Sequence, residues 1–423
     1  MNARQVAVKV ISEIERSGSY SNILSDKAIK DAELSKADAS LASMLVYGVL
    51  QRKITLDYVL AKAAGKNFKK THPLVLAVLR VAAYQLLFMD KIPPSAAVNE
   101  AVKIVKASKQ RFAQGFVNAV LRKLNTEKDS FLKAISECDD LGVKYSCTNE
   151  FAKGLIADYG KETAEGFLQA SLKAPKLYCR INNFSIKDNL FDRLTEKGIT
   201  VAEADIDGAF SMQGAGSVEG LTEFKNGEFF VQDLASQKAI KAFGIEAGMS
   251  VLDVCAAPGG KSFTAAQYCG ENGKLVSCDL YEQRAALTKK GAERLNIKNL
   301  QAFQNDATVF NPDLGTFHRV LCDVPCSGFG VIRRKPEIKY KSLSEFDKLP
   351  EIQLQILETS VKYLRPEGRI MYSTCTVRQA ENRNVIDAFL NKHAEFEIVS
   401  EKTLMPHTDG TDGFYFCILS QSI

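Results

Sequence analysis

"VLDVCAAPGGKSF" (residues 251–263) reads as a buried strand, a turn of small residues and glycines, and the start of a helix. Gly259 and Gly260 let a ligand approach the backbone closely, and the helix N-terminus beyond them favours an anion or a carboxylate. A phosphate-binding GxxxxGK[ST] loop needs glycine at 255, where the chain has Cys255. A dinucleotide fingerprint needs GxGxxG, which "CAAPGG" does not supply. The loop therefore suits a nucleoside-bearing ligand without an essential pyrophosphate, such as S-adenosylmethionine.

The residues on either side extend this reading. Asp279 ends the next strand, where an acid usually grips a ribose diol. Asp306 ends the third strand and Asp323 the fourth. From about 245 onward, "MSVLDVCA", "KLVSCDL", "LQAFQND", "HRVLCDVP" and "RIMYST" alternate with helical stretches such as "YEQRAALTKKGAERL". Buried parallel strands with crossover helices follow from that alternation. The tail, "FEIVSE" and "GFYFCILS", offers two more strands. Residues 236–423 are thus expected to form a Rossmann-like α/β domain.

Upstream the pattern changes. Residues 129–235 mix helical and strand-like runs ("KLYCRIN", "IKDNLFDRLTEKG", "GEFFVQD") and read as a small α+β segment. Residues 1–128 read as an all-α bundle of six or seven helices. Its "HPLVLAVLRVAAYQLLFMDKIPP" is apolar nearly all round and belongs at the centre, with Pro73 early in the helix and Pro93-Pro94 closing the run. Ser95 or a neighbour is expected to cap the next helix.

Composition excludes several classes. The 423 residues are 46% hydrophobic and 25% charged, as in ordinary globular chains. No stretch approaches a membrane span, and the N-terminus has no secretory pattern. A cytoplasmic protein is expected. The ten cysteines are scattered without a CxxC pair, and the four histidines sit at no zinc-like spacing from them, so neither disulfides nor a metal are expected. Net charge is +5, but residues 1–126 carry +11 and the remainder −6. Such asymmetry suits an N-terminal part that meets a polyanion.

Two cysteines stand apart from the other eight. Cys326 lies in "CDVPCSGFGVIRRKPEIKY" beyond the fourth strand, and Cys375 in "STCT" at the end of the fifth. Both fall at the carboxyl edge that holds ligands in an open α/β sheet. A thiol there has a clear use. Carbon 5 of a pyrimidine is too weak a nucleophile to take a methyl group from a sulfonium. A thiolate adding at C6 makes the ring enamine-like at C5, and an acid near N3 stabilises the charge that develops. Asp323 is placed for the pyrimidine edge. One cysteine would attack and the other would help release the product.

The motifs "DVCAAPGGKS", "DVPCSGFGVIRRKPE" and "YSTCTVRQAEN" resemble those of the RNA cytosine-C5 methyltransferases of the Nol1/Nop2/Sun family. That resemblance implies Cys375 as nucleophile and Cys326 as the residue that assists breakdown of the adduct. It implies a cofactor and cytosine site from Cys255, Ala256, Ala257, Pro258, Gly259, Gly260, Lys261, Asp279, Asp306 and Asp323, with S-adenosylmethionine as cofactor. "VQDLASQ" (231–237) resembles the family's approach to its catalytic domain.

The N-terminal stretches "YSN", "YGVLQRKITLDYVL" and "GFVNAVLR" resemble the NusB-like RNA-binding domain fused to one bacterial branch, the Sun or Fmu type. That branch methylates a cytosine of 16S ribosomal RNA, free or partly assembled, and a monomer is expected. The same chemistry on tRNA and a non-catalytic RNA-binding scaffold are the alternatives. Lys66, Lys69, Lys70, Arg80, Lys106, Lys109 and Arg111 become candidate phosphate contacts. Arg333, Arg334 and Lys335, close in sequence to Cys326, become candidates for holding the target strand.

Overall fold

The computed structural model describes residues 1–17 and 21–422; Tyr20 of the "YSN" stretch lies outside them. The chain divides into two compact units, Met1–Lys173 with Ile332–Leu343, and Ala174–Val331 with Ser344–Ile423.

The first unit is helical. Among the described residues seven α-helices precede residue 127: Ala3–Ser17, Ser21–Asp31, Lys36–Gln51, Lys53–Ala64, Pro73–Phe88, Pro94–Lys106 and Gln114–Thr126. Their apolar faces meet in one core that includes Val10, Leu45, Val49, Leu56, Val78 and Leu121. Pro73–Phe88 buries residues on every side, as its composition demands. Pro73 occupies its first turn, and His72 Nδ1 accepts the Leu74 N–H at 3.2 Å. Ser95 does not cap its helix. Pro93 holds that position without a side-chain bond, because Pro94 already begins the helix.

Arg80 is the polar exception in that buried helix. It is 5% exposed. Its Nε and Nη2 each donate to Asp57 at 2.7 Å, and Nη1 donates to Glu15. Expecting it to contact RNA is corrected by this burial: the guanidinium is spent on two internal carboxylates.

Residues 129–173 join the helical unit instead of an α+β segment, through Lys128–Ser136, Leu141–Tyr145 and Asn149–Ser171. The last of these kinks at Gly160, where φ is 78°. Ile332–Leu343 is held in the same unit from far along the chain. Gln51 Nε2 donates to the carbonyls of Ile332 and Arg333, both at 3.1 Å. Tyr340 Oη donates to Leu50 O at 2.5 Å, and the buried Lys339 ammonium donates to Gln51 O at 2.8 Å.

Among its described residues the second unit holds two sheets. The smaller comprises β1 (Leu177–Ile181), β2 (Thr200–Glu203), β3 (Ala209–Gln213) and β4 (Phe229–Val231), in the order β2-β3-β1-β4 with antiparallel pairing throughout. The larger comprises β5 (Ser250–Asp253), β6 (Lys274–Asp279), β7 (Leu300–Gln304), β8 (Phe317–Asp323), β9 (Leu364–Thr374), β10 (Phe396–Leu404) and β11 (Phe414–Gln421). Its order is β10-β11-β9-β8-β5-β6-β7. Strands β5 to β9 run parallel, and β11 is wedged antiparallel between β9 and β10. The chain steps outward from β5 to β7, then returns to place β8 on the other side of β5. That reversal opens a crevice at the carboxyl ends of β5 and β8, where open α/β sheets hold their ligands.

Candidate active site

β5 is buried along its whole length, so the chain must leave the core at Asp253. Val254–Gly259 make the turn, with a cis Ala257–Pro258 peptide, and the helix Gly260–Cys269 follows. Gly259 sits at φ 106°, and a Cβ there would lie 2.4 Å from the Phe263 ring. Only glycine suits that conformation and that space. Gln232 of the "VQDLASQ" stretch braces the turn. Its Nε2 donates to Gly260 O at 3.0 Å, and its Oε1 accepts from Thr264 Oγ1 at 2.6 Å. Asp253, 1% exposed, accepts from Ser262 Oγ at 2.6 Å. Burial pushes its carboxyl up to about 7, against the help of Ser262.

The acids expected for the cofactor lie beyond neighbouring strands. Asp279 ends β6, and its Oδ2 accepts the Ala257 N–H at 3.3 Å. Arg284 Nε lies 3.4 Å from the same oxygen, and Arg284 Nη2 donates to Ala257 O at 3.0 Å. Asp306 is exposed beyond β7, with Oδ1 accepting from the Thr308 N–H and Oγ1 at 2.9 and 2.7 Å. These residues fit a nucleoside: a carboxylate at the end of β6 for sugar hydroxyls, and a glycine turn that a Cβ would fill.

Lys261 takes a different direction. Its ammonium donates to Asp323 Oδ2 at 2.7 Å and lies 4.9 Å from the centre of the Phe414 ring. Asp323 Oδ1 accepts from Ser373 Oγ at 2.9 Å. Burial opposes the Lys261 charge, but Asp323, with Cys375 and Asp253 nearby, holds its ionisation above the ordinary lysine range. A cation is thus kept within electrostatic reach of Cys375.

Cys326 and Cys375 face one another with sulfurs 3.1 Å apart. The Cys326 thiol is pushed well above the ordinary range, first because it is hydrogen-bonded to Cys375 and then by burial. The two sulfurs share this contact, and either can donate to the other. Of the remaining cysteines, Cys147, Cys179, Cys269, Cys278, Cys322 and Cys417 are buried, and burial raises five of these thiols.

The backbone around both thiols is fastened. Gln353 Nε2 donates to Pro325 O at 2.9 Å, and the Ser327 N–H donates to Glu381 Oε2 at 2.8 Å. Ser327 Oγ lies 2.9 Å from Thr376 Oγ1, joining one cysteine loop to the other. The Gly330 N–H donates to Cys375 O at 2.9 Å. Thr374 Oγ1 donates to Asn382 Oδ1 at 2.6 Å.

The fold thus brings Asp323, Cys326, Cys375 and Lys261 together and sets Asp279 against the glycine turn. Lys66, Lys69, Lys70, Lys106, Lys109 and Arg111 are exposed on the helical unit, while Arg333, Arg334 and Lys335 are half-buried in its returning segment. Sequence reading passed over Asp253, Ser327, Ser373 and Glu381. Glu381 stood inside a quoted motif, but nothing local distinguishes it from a surface glutamate. Among the described residues no cluster of metal-ligating side chains occurs, and no helix is long and apolar enough to cross a membrane.

Residues 242–420 match the family model of the 16S rRNA methyltransferase RsmB/F, and residues 1–126 match that of the NusB family. The chain is 36% identical to "Probable ribosomal RNA small subunit methyltransferase B" of Bacillus subtilis (strain 168), covering 98% of each chain. It is 30% identical to "Ribosomal RNA small subunit methyltransferase B" of Escherichia coli O157:H7 (strain EC4115 / EHEC), covering 99% of this chain and 98% of that one. Among solved structures, PH0851 superposes with a TM-score of 0.82 at 22% identity, over 100% of this chain and 99% of that one. NSun6 from Pyrococcus horikoshii with SFG superposes with a TM-score of 0.59 at 19% identity, over 65% of this chain and 98% of that one. These two likenesses concern the fold.

Proposed function

The chain belongs to the RsmB/F family of 16S rRNA methyltransferases, and on that premise we propose that it methylates carbon 5 of a cytosine in 16S rRNA through a covalent adduct at Cys375. It is an S-adenosylmethionine-dependent rRNA methyltransferase; the position on the base, the adduct and the residue roles are the proposal. The observation that carries them is the facing thiol pair, 3.1 Å apart, with the Lys261–Asp323 ion pair in the same site.

Cys375 supplies the thiolate. Its sulfur forms a bond to C6, the C5–C6 π pair moves to C4–C5 and the C4–N3 π pair moves onto N3, leaving C5 an enamine-like nucleophile. Asp323 accepts from the exocyclic N–H of the base, and Lys261 offsets the negative charge that gathers in the ring. The glycine turn, with Asp279 for ribose hydroxyls and Asp306, would hold S-adenosylmethionine, which would supply the methyl group to C5 and be released as the thioether. The C5 proton then passes to a base, the C5–C6 double bond re-forms, and the C6–sulfur bond breaks to return Cys375 as thiolate. Cys326, in contact with Cys375, assists this last step.

Reaching Cys375 requires the cytosine to be unstacked. The exposed lysines of the helical unit, with Arg111, supply phosphate attraction, and Arg333, Arg334 and Lys335 remain candidates for the target strand. The substrate is free 16S rRNA or a partly assembled small subunit. Labelled S-adenosylmethionine, unmodified 16S rRNA and nucleoside analysis test the reading. Label in 5-methylcytidine supports it; label on tRNA alone moves the substrate; no label on any RNA favours a binding scaffold.

A further inference from the structure

We propose that Glu381 is a positioning residue for product release, acting through Ser327 to hold the Cys326 thiol against Cys375. This rests on the roles proposed above for the two cysteines.

Glu381 is fully buried and follows Cys375 by six residues. Its carboxylate accepts from four donors. Oε1 takes Ser327 Oγ at 2.5 Å and Arg378 Nη1 at 3.2 Å; Oε2 takes the Ser327 N–H at 2.8 Å and Gln353 Nε2 at 3.2 Å. A buried carboxylate is costly unless so satisfied, and a glutamine could not accept all four. The partners show what the carboxylate secures. Cys326 is clamped on both sides: the preceding carbonyl, Pro325 O, is held by Gln353, and the following N–H, that of Ser327, by Glu381 itself. Gln353 touches both, so one network fixes both peptides flanking the thiol. Ser327 Oγ reaches on to Thr376 Oγ1, beside Cys375. Tyr372 Oη donates to Glu381 O at 2.6 Å and ties the same residue to β9, the strand that ends before Cys375. Glu381 touches neither sulfur. It adds a buried tie between two loops that are also joined by Ser327 Oγ at Thr376 Oγ1 and by the Gly330 N–H on Cys375 O.

Loosening this link leaves attack by Cys375 largely in place and misplaces Cys326. A misplaced reacting group costs about 10- to 100-fold in its own step. The test compares Glu381→Gln, Ser327→Ala, Cys326→Ala and the double variant Cys326→Ala/Glu381→Gln in single-turnover reactions with 16S rRNA. Methyl transfer and the denaturant-resistant protein–RNA species are followed separately. Glu381→Gln is expected to accumulate a methylated covalent species with release slowed about 10-fold or more, and Ser327→Ala to do so more weakly. In the Cys326→Ala background, Glu381→Gln should slow release no further, because it acts through that thiol. Release slowed equally in both backgrounds, or slowed transfer without an accumulated species, would make Glu381 merely structural. If Glu381→Gln fails to fold, Ser327→Ala decides by the same readout. Accumulation with Cys326→Ala but not with Glu381→Gln or Ser327→Ala overturns this inference alone. No accumulation with Cys326→Ala overturns the role of Cys326 and this inference with it.

Discussion

The sulfur of Cys326 lies 3.1 Å from that of Cys375, and hydrogen bonding to Cys375 is the first cause holding the Cys326 thiol in its protonated form. A thiol attacks as the thiolate, and the proposal gives that role to Cys375, with the Cys326 thiol in contact beside it.

Cys375→Ala should abolish methyl transfer while S-adenosylmethionine still binds, because the thiol meets only the base. Turnover falls by at least about 1000-fold on the scale of a removed nucleophile. Calorimetric cofactor binding measured beside radiolabel transfer checks this. Retained turnover would remove Cys375 from the mechanism.

Lys261→Met should move the acid limb of kcat/KM to higher pH. Lys261 is paired with Asp323 and interacts with Cys375, so its loss removes a positive charge that favours the thiolate. Activity at neutral pH falls about 10-fold or more and is partly recovered in alkaline buffer. An unshifted profile at lowered activity would confine Lys261 to holding Asp323.

Asp253 predicts a pH effect on stability. Burial raises its folded pKa to about 7 from 3.8. The folded state then binds a proton that the unfolded state has released. The stability contribution is fully present below about 4 and is lost as pH rises through about 7, on the order of 4 kcal/mol. Asp253→Asn keeps an acceptor for Ser262 and removes the titration. Denaturant unfolding at pH 5 and pH 8 should therefore show the variant gaining on the parent protein at pH 8. Equal differences at both pH values would mean that Asp253 does not titrate between them and would contradict its raised pKa.

Much of this was legible in advance because it follows from local pattern. The glycine turn, the strand ends at Asp279 and Asp323, and the all-round apolar helix at Pro73–Phe88 each carry their own signal. β2 and β3 do not. β2 is an exposed edge strand without a buried face, and "TVAEADIDGAFSMQ" alternates too weakly to separate strand from loop. Arg80 was misread because its partners, Asp57 and Glu15, lie 23 and 65 residues away in sequence. The return of Ile332–Leu343 to the helical unit depends on bonds to Gln51 and Leu50 across more than 280 residues, which no short window contains. Glu381 joins two loops through Ser327, 54 residues away.

Replacing Lys66, Lys69 and Lys70, all exposed, with alanine should weaken RNA binding and flatten its salt dependence. Each lost phosphate contact lowers the log–log slope by about 0.7 to 0.9. Filter binding of 16S rRNA across a salt series reads the slope directly. An unchanged slope would leave this 3-10 helical segment as ordinary solvated surface.

The central claim is a covalent bond between Cys375 and a cytosine, and the most direct measurement traps and maps it. Cys326→Ala is incubated with S-adenosylmethionine and 16S rRNA, denatured, and digested with nuclease and protease. The account predicts a denaturant-resistant species whose peptide carries a methylated cytidine nucleotide on Cys375. Attachment at any other residue, or the absence of an adduct with wild-type turnover, would contradict it.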